Sequence, residues 1–331
     1  MKKNSVPFGA SDKDIEAAGK VIGKVMKSKG KKKYLLLALI AAVACLAALM
    51  KLGVLPDIVG TGEVLTTSAA DSAPADTLEV NYIDVGQGDC TLIICGGHTM
   101  LIDAGENGHE QEVSSCLHSK GVGKLDYLVC SHQHTDHMGG LPEILDEFGA
   151  STVIMPRLTK AQTPTNRTYT AFLNSVKASG AKVEAAQPGK SFALGSATVE
   201  VLGPVTDDAE SLNNMSAVLM LTFEGKKFLF TGDAEKEEEQ EILGTGCELD
   251  CDVLKVGHHG SKTSSSDAFL AAASPEICVI ECGEGNDYGH PHKQALNRLK
   301  KYTSEIYRTD ICGDIVITCT GGELNIEYER Q

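Results

Sequence analysis

The chain has 331 residues, 42% of them hydrophobic, and a formal net charge of -15, which is room for one large catalytic domain with accessory segments. The charge is unevenly placed: residues 1–33 hold ten lysines against Asp12, Asp14 and Glu16, whereas from Leu52 onward 19 Lys and Arg face 42 Asp and Glu. That acidic remainder excludes a broad basic surface for holding polyanions and leaves only a local groove or a bound metal for such a task.

Residues 34–50 run for 17 positions without a charge, followed by Lys51 and four more largely apolar residues, close to the minimum for crossing a bilayer. The stretch 34–55 is therefore expected to be one transmembrane helix. The lysines at 20, 24, 27, 29, 31, 32 and 33 keep the tail 1–33 cytoplasmic by the positive-inside rule and send the rest outward. The expected location is a single-pass cell-membrane protein with an extracytoplasmic catalytic domain. A secreted or lipid-anchored product is the rival, because Ala42-Val43-Ala44-Cys45 loosely resembles a lipoprotein cleavage box; the long stretch before the apolar run and Ala42 itself disfavour cleavage. Residues 56–77, rich in small and polar residues without periodicity, read as a flexible linker, and 78–331 as the catalytic domain.

From Leu78 short β-branched runs alternate with helical patterns, at LEVNYIDV, TLIIC, HTMLID, DYLVCS, STVIM, ATVEVL, AVLMLTF, KFLFTG, CDVLKV, EICVIE and DIVITC, which indicates α/β organisation. Helices are expected near 109–120, 139–148, 167–180, 234–243, 264–273 and 292–301. The runs 217–223 and 226–230, joined by Glu224-Gly225, read as an antiparallel hairpin, so the sheets should be mixed. Eleven cysteines form no C-x-x-C pair. Cys90, Cys95, Cys130, Cys278 and Cys319 lie in or beside apolar runs and read as reduced, buried residues.

The chemistry is concentrated in Ser131-His132-Gln133-His134-Thr135-Asp136-His137, which directly follows the run Tyr127-Leu128-Val129-Cys130. Imidazole and carboxylate are the usual ligands of zinc-like cations, and a tight turn at a strand end can aim alternate side chains at two adjacent metals. Gly139-Gly140 and a helix start behind the cluster fix the loop more firmly than a solvated polar loop requires. Asp233 ends the strand KFLFTG, with a helix N-cap as its bland alternative. His258 and His259 follow CDVLKV; His258, coming first after the strand, is favoured. Asp103 opens a Gly turn and suits a carboxylate that orients a ligand histidine, a role also open to Asp84 and Asp89, whose Gly-rich surroundings equally suit a turn.

The H-x-H-x-D-H arrangement resembles the metallo-β-lactamase superfamily, and the ordered set Asp84-Val85-Gly86-Gln87-Gly88-Asp89, Ile102-Asp103-Ala104-Gly105, the histidine cluster, Asn213-Asn214-Met215-Ser216, Thr231-Gly232-Asp233, His258-His259-Gly260-Ser261 and Tyr288-Gly289-His290-Pro291-His292 looks like the hydrolase domain of ComEC-type competence proteins. The resemblance covers about residues 78–328. It implies a four-layer αββα sandwich with mixed sheets. It also implies that His132 and His134 hold one divalent metal while Asp136, His137 and a histidine of the later pair hold another, with Asp233 bridging. Asp136, Asp233 and His290 would then carry catalysis, His290 as substrate contact or proton donor, with Asn214, His259 and His292 as further metal or substrate contacts. The superfamily's usual third histidine of the first site is missing, since residues 138–212 contain no histidine. Asn213 or Asn214 fills that corner in this expectation, and an amide oxygen makes manganese plausible beside zinc.

The leading functional expectation is a phosphodiesterase or nuclease in which two metals activate a water by lowering its pKa toward ~7, connected with DNA uptake through a membrane channel partner, since one apolar segment cannot itself translocate DNA. Its rivals are a cell-surface phosphoester hydrolase of phosphorylcholine type and a non-enzymatic, membrane-tethered binding module that keeps metal for stability.

Overall fold

The computed structural model of the protein describes residues 76–330. The expected cytoplasmic tail, transmembrane helix and nearly all of the linker therefore lie outside the described residues. Among the described residues no helix is long and apolar enough to cross a membrane.

The strands in chain order are β1 (Thr77–Tyr82), β2 (Thr91–Cys95), β3 (His98–Ile102), β4 (Leu125–Val129), β5 (Ala150–Met155), β6 (Lys182–Ala185), β7 (Ser191–Leu194), β8 (Ala197–Gly203), β9 (Val218–Phe223), β10 (Lys226–Phe230), β11 (Val253–Lys255), β12 (Ile277–Ile280), β13 (Glu305–Arg308), β14 (Ile315–Thr320) and β15 (Glu323–Tyr328). They form one sheet ordered β15-β14-β1-β2-β3-β4-β5-β6 and a second ordered β13-β12-β11-β10-β9-β8-β7. Both are mixed: β3 to β6 and β10 to β13 run parallel to their neighbours, and the remaining pairs are antiparallel. The expected hairpin is present as β9 and β10, turned by Glu224 (φ 47°) and Gly225 (φ 82°), two left-handed residues whose twist matches the flanking strands.

Period-two burial decides the layering. In β1, Leu78, Val80 and Tyr82 point to one side and meet Phe228, Phe230 and Leu219 of the other sheet, and the Tyr82 and Phe230 rings pack at a tilt with centroids 6.4 Å apart across the gap. Each such side chain removed from water contributes about 1.5–3 kcal/mol. The outer face of the first sheet packs Leu92, Leu101, Leu128 and Val153 against helices α1 (Glu110–Ser119), α3 (Leu141–Phe148) and α4 (Arg167–Ser179), α2 (Thr135–Met138) being a single turn. The outer face of the second packs Val218, Leu229 and Leu254 against α5 (Lys236–Thr245), α6 (Asp267–Ala273) and α7 (Lys293–Leu299), with α8 (Thr309–Cys312) closing the loop after β13. Three apolar layers between helices, sheet, sheet and helices make the expected αββα sandwich. Cys90, Cys95, Cys130, Cys278 and Cys319 are all buried free thiols within it.

Candidate metal centre

The histidine loop leaves β4 at the C-terminal edge of its parallel run, where ligands gather in such sheets. Cys130 still pairs with β5 through its N–H to the Ile154 carbonyl at 2.9 Å; the chain then turns into α2, which holds His137. Two glycines make this possible by close approach. A Cβ at Gly139 would lie 2.4 Å from Asn107 N, and one at Gly88 would lie 2.3 Å from the Asp136 carbonyl oxygen. The Gly-rich turn before Asp89 thus rests directly on the backbone of Asp136, where Asp89 N donates to the Asp136 carbonyl at 3.2 Å.

The tautomers follow from the ring partners. His137 Nδ1 donates to Asp103 Oδ2 at 2.9 Å, so its Nε2 is the nitrogen left to face a metal. Asp103 is fully buried and also accepts from Ser131 N at 2.7 Å and Ser131 Oγ at 2.5 Å. With the Ser131 proton committed, His132 Nδ1 at 3.1 Å donates to Ser131 Oγ, and His132 Nε2 is the free nitrogen, 3.0 Å from His134 Nδ1. His259 Nδ1 donates to the Glu281 carbonyl at 2.9 Å, turning its Nε2 to within 3.3 Å of His137 Nε2 and 3.2 Å of Asp136 Oδ2.

Asp233 lies between these rings. Its Oδ1 is 3.2 Å from His137 Nε2 yet makes no hydrogen bond although buried, and its Oδ2 is 3.6 Å from His258 and His259 Nε2 and 3.8 Å from His132 Nε2. Imidazole nitrogens and a carboxylate oxygen that converge in a buried space need a cation among them, either protons on the rings or a metal. The donor set therefore fits divalent metal. One atom each of Asp89, His137, Asp233 and His259 lies within 4.8 Å of the others.

The electrostatics describe the same cation-shaped hole. Burial works against a charged His259 ring, but the Asp233 and Asp89 carboxylates outweigh it and hold it up at about 10; Asp233 and Asp89 likewise raise His137 against its burial. Burial would raise Asp136 and Asp233, and the His137 and His259 rings instead hold both well below the usual carboxylate range. His132 and His134 are driven down, chiefly by burial.

The other expected residues differ in how closely they approach the centre. His258, favoured from the sequence, is the more peripheral of the pair: its Nδ1 turns to Glu235 at 3.4 Å, while His259 enters the cluster. Both residues adopt left-handed backbone, φ 52° with ψ 48° and 26°, a strain of order 1–3 kcal/mol each that lets consecutive side chains reach one centre. Asn213 lines the cleft with His134, its Oδ1 buried and unbonded; Asn214 turns away and accepts from Glu235 N at 2.9 Å. Asp84 is outside the centre, capping Gly86 N and pairing with Arg330 at 2.8 Å, because its strand-end turn directs it to the opposite side from Asp89. His292 Nδ1 accepts from Lys262 N at 3.1 Å and leaves the cleft wall to His290. His290, its pKa pushed down to about 4 by burial and then by His259 and His258, is neutral at pH 7 and so suits a hydrogen-bond contact better than proton donation.

Two residues beneath the centre were not singled out in the sequence. Lys255 Nζ lies 2.5 Å from Asp89 Oδ2, and the fully buried Glu281 accepts from Cys90 N and Thr91 Oγ1 at 3.0 and 3.2 Å. A lysine inside CDVLKV and a terminal glutamate in EICVIE were the available signals, since a charge in a buried parallel strand needs a partner. The cleft above has a volume of about 440 Å³, and Gln87, Glu106, Thr135 and Tyr288 complete its walls.

Residues 83–282 match the family model of the metallo-beta-lactamase superfamily. The chain belongs to that superfamily, as a metal-dependent hydrolase with a buried His/Asp centre. It is 31% identical over 256 residues to ComE operon protein 3 of Bacillus subtilis (strain 168), covering 72% of this chain and 32% of that protein. It is 29% identical over 259 residues to Recombination protein 2 of Haemophilus influenzae (strain ATCC 51907 / DSM 11121 / KW20 / Rd), covering 77% and 30%. The ComEC-type resemblance is thus shown, and the chain spans about a third of the length of these relatives. Among solved structures a variant of the CmlA beta-hydroxylase superposes with a TM-score of 0.50 at 16% identity, over 74% of this chain and 54% of that one, a likeness of fold alone.

Proposed function

We propose that this chain is a phosphodiesterase with DNA as its substrate, working on the outer face of a membrane beside a channel partner that moves the strand. The observation that carries the reading is Asp233, whose two oxygens reach rings of both histidine groups, as a carboxylate shared between two metals must. His132, His134 and Asn213 would hold one ion, Asp136, His137 and His259 the other, with zinc the first choice and manganese favoured by the amide oxygen. When bound, such a pair supplies Lewis acidity to a phosphoryl oxygen and activates a water. The chain's own residues then orient and polarise: Asp103 and the Glu281 carbonyl fix two ring tautomers, and neutral His290 presents a donor to the substrate from the cleft wall. A relative named for recombination supports the DNA assignment.

A second reading, hydrolysis of a phosphorylcholine-type surface ester, is favoured by Tyr288. It is 66% exposed, stacks on His290 with centroids 5.6 Å apart and stands over the same cleft as Glu106, and an aromatic face with a carboxylate attracts a quaternary ammonium.

Metal content and turnover on a bis-phosphodiester dye, single-stranded DNA and phosphorylcholine esters, with zinc or manganese, test both. Two metals and DNA cleavage support the nuclease. Cleavage of the choline esters without DNA cleavage moves the assignment to the surface hydrolase, and metal without turnover leaves a binding module.

A further inference from the structure

We propose that a basic cavity beside the cleft holds the flanking phosphates of a single-stranded DNA chain while one phosphodiester lies over the histidine centre. The proposal rests on the nuclease reading and adds to it the path of the strand. A cavity of about 410 Å³ opens where the start of α5, the loop 262–266 and α7 come together, with Lys236, Gln240, Lys262, Thr263 and Arg298 in its walls. The one carboxylate in the lining, Asp267, is already taken by Lys301 at 2.5 Å. Lys226, Lys227 and Lys255 are likewise each paired with a carboxylate, whereas among the described residues no carboxylate pairs with Lys236 or Lys262.

The cationic groups sit on a fixed frame. Arg298 donates to the carbonyls of Lys262, Ser264 and Ser265 at 3.2, 2.6 and 2.7 Å, and the buried Glu239 accepts from Ser265 N and Ser266 N on the other side of the loop. The bonded partners of Arg298 are neutral, and Glu239 is committed to the loop's N–H groups, so the guanidinium still presents its charge to the cavity. Helix α5 sorts its side chains accordingly. Lys236 and Gln240, one turn apart, face this cavity, while Glu237 and Glu241 line a separate one.

The cavity continues the catalytic cleft. Thr263 Oγ1 is 3.3 Å from Nδ1 of His258, which lines the cleft, and Lys262 N donates to His292 Nδ1 at 3.1 Å. From Tyr288 to Ser304 the chain carries Lys293, Arg298, Lys300 and Lys301 but no Asp or Glu, in a domain where acids outnumber bases about two to one. A positive track that leads away from a phosphodiester centre through an otherwise acidic surface suits a strand with one negative charge per nucleotide. A small ester ends inside the cleft and does not reach it.

The test is fluorescence anisotropy of a labelled phosphorothioate single-stranded oligonucleotide with the full, zinc-loaded chain over a range of salt concentrations. Lys236→Gln/Lys262→Gln, two exposed positions, should make the slope of log K against log salt shallower by about 1.4, or about 0.7 per phosphate contact, and weaken binding roughly tenfold or more near 0.1 M salt. Lys177→Gln/Lys182→Gln removes the same charge from α4 and β6, on the side of the other sheet, and should keep the wild-type slope. An unchanged slope in the first variant, or equal losses in both, overturns the proposal; unmodified DNA still cleaved by the wild type would leave the nuclease reading standing. A wild type that neither binds nor cleaves DNA overturns both. If the first variant loses binding to phosphatidylserine vesicles and keeps its DNA affinity, the cavity is a membrane contact and the proposal falls.

Discussion

Lys255 Nζ and Asp89 Oδ2 meet at 2.5 Å, each residue less than 5% exposed, directly under the histidine cluster. The ammonium offsets a carboxylate that in turn lies 3.1 Å from His259 Nδ1, so one ion pair supports the floor of the metal centre. Removing one partner of a buried pair strands the other, at a cost of about 3–5 kcal/mol. Lys255→Met should lower the urea-unfolding free energy by that amount, even though Met fills the volume. A loss under about 1 kcal/mol would show that Asp89 does not depend on it.

Asp103 would act on a metal through the His137 ring and, by way of Ser131, through His132. Asp103→Asn keeps the shape but can present its amide to Nδ1, releasing the ring from the tautomer that leaves Nε2 free. Metal affinity should fall about 10–100-fold, read by competition with a chromophoric chelator, while the circular dichroism spectrum is retained.

The two adjacent histidines should separate in the same assay. His259→Ala removes a ring at 3.3 Å from His137 Nε2 and should cost the second metal outright, whereas His258→Ala, whose ring leans on Glu235, should leave two metals bound. Equal loss from both would place His258 in the coordination shell.

Asp136→Ala distinguishes an enzyme from a metal-stapled module. An enzyme should lose turnover by more than the roughly 100-fold typical of outer-shell partners with its melting temperature nearly kept. A stapled module should instead melt earlier as metal is lost.

Glu238 gives the pH dependence. Its pKa is raised from 4.5 to about 7, so the folded state binds a proton more tightly than the unfolded chain, and stability should fall as pH rises from about 4.5 to about 7. Glu238→Gln removes this slope, being more stable than wild type by on the order of 3 kcal/mol at pH 8 and converging with it near pH 4. Denaturant melts of the two proteins across that range measure it; parallel curves would rule out the buried acid as the cause.

What was legible in the sequence divides along physical lines. The central strands were readable because burial on two faces demands runs such as YLVC and VLMLTF. The four strands that escaped notice, Lys182–Ala185, Ser191–Leu194, Glu305–Arg308 and Glu323–Tyr328, are the four sheet edges, where one side has no neighbour and polar residues are tolerated. The six expected helices are present with ends shifted by up to three residues. In the site, the histidine loop announced itself by spacing. Which of His258 and His259, or of Asn213 and Asn214, faces the cleft depends on a left-handed turn and a short 3₁₀ turn, and composition carries no record of either.

His259 and Asp136 touch at 3.2 Å although 123 residues separate them, one contributed by each sheet's loops. No contiguous fragment from one half holds a full donor set, so the centre comes into being only when the two sheets have closed on each other. A molecule whose sheets have not met lacks the full donor set, so metal uptake itself certifies that both halves of the domain are in place.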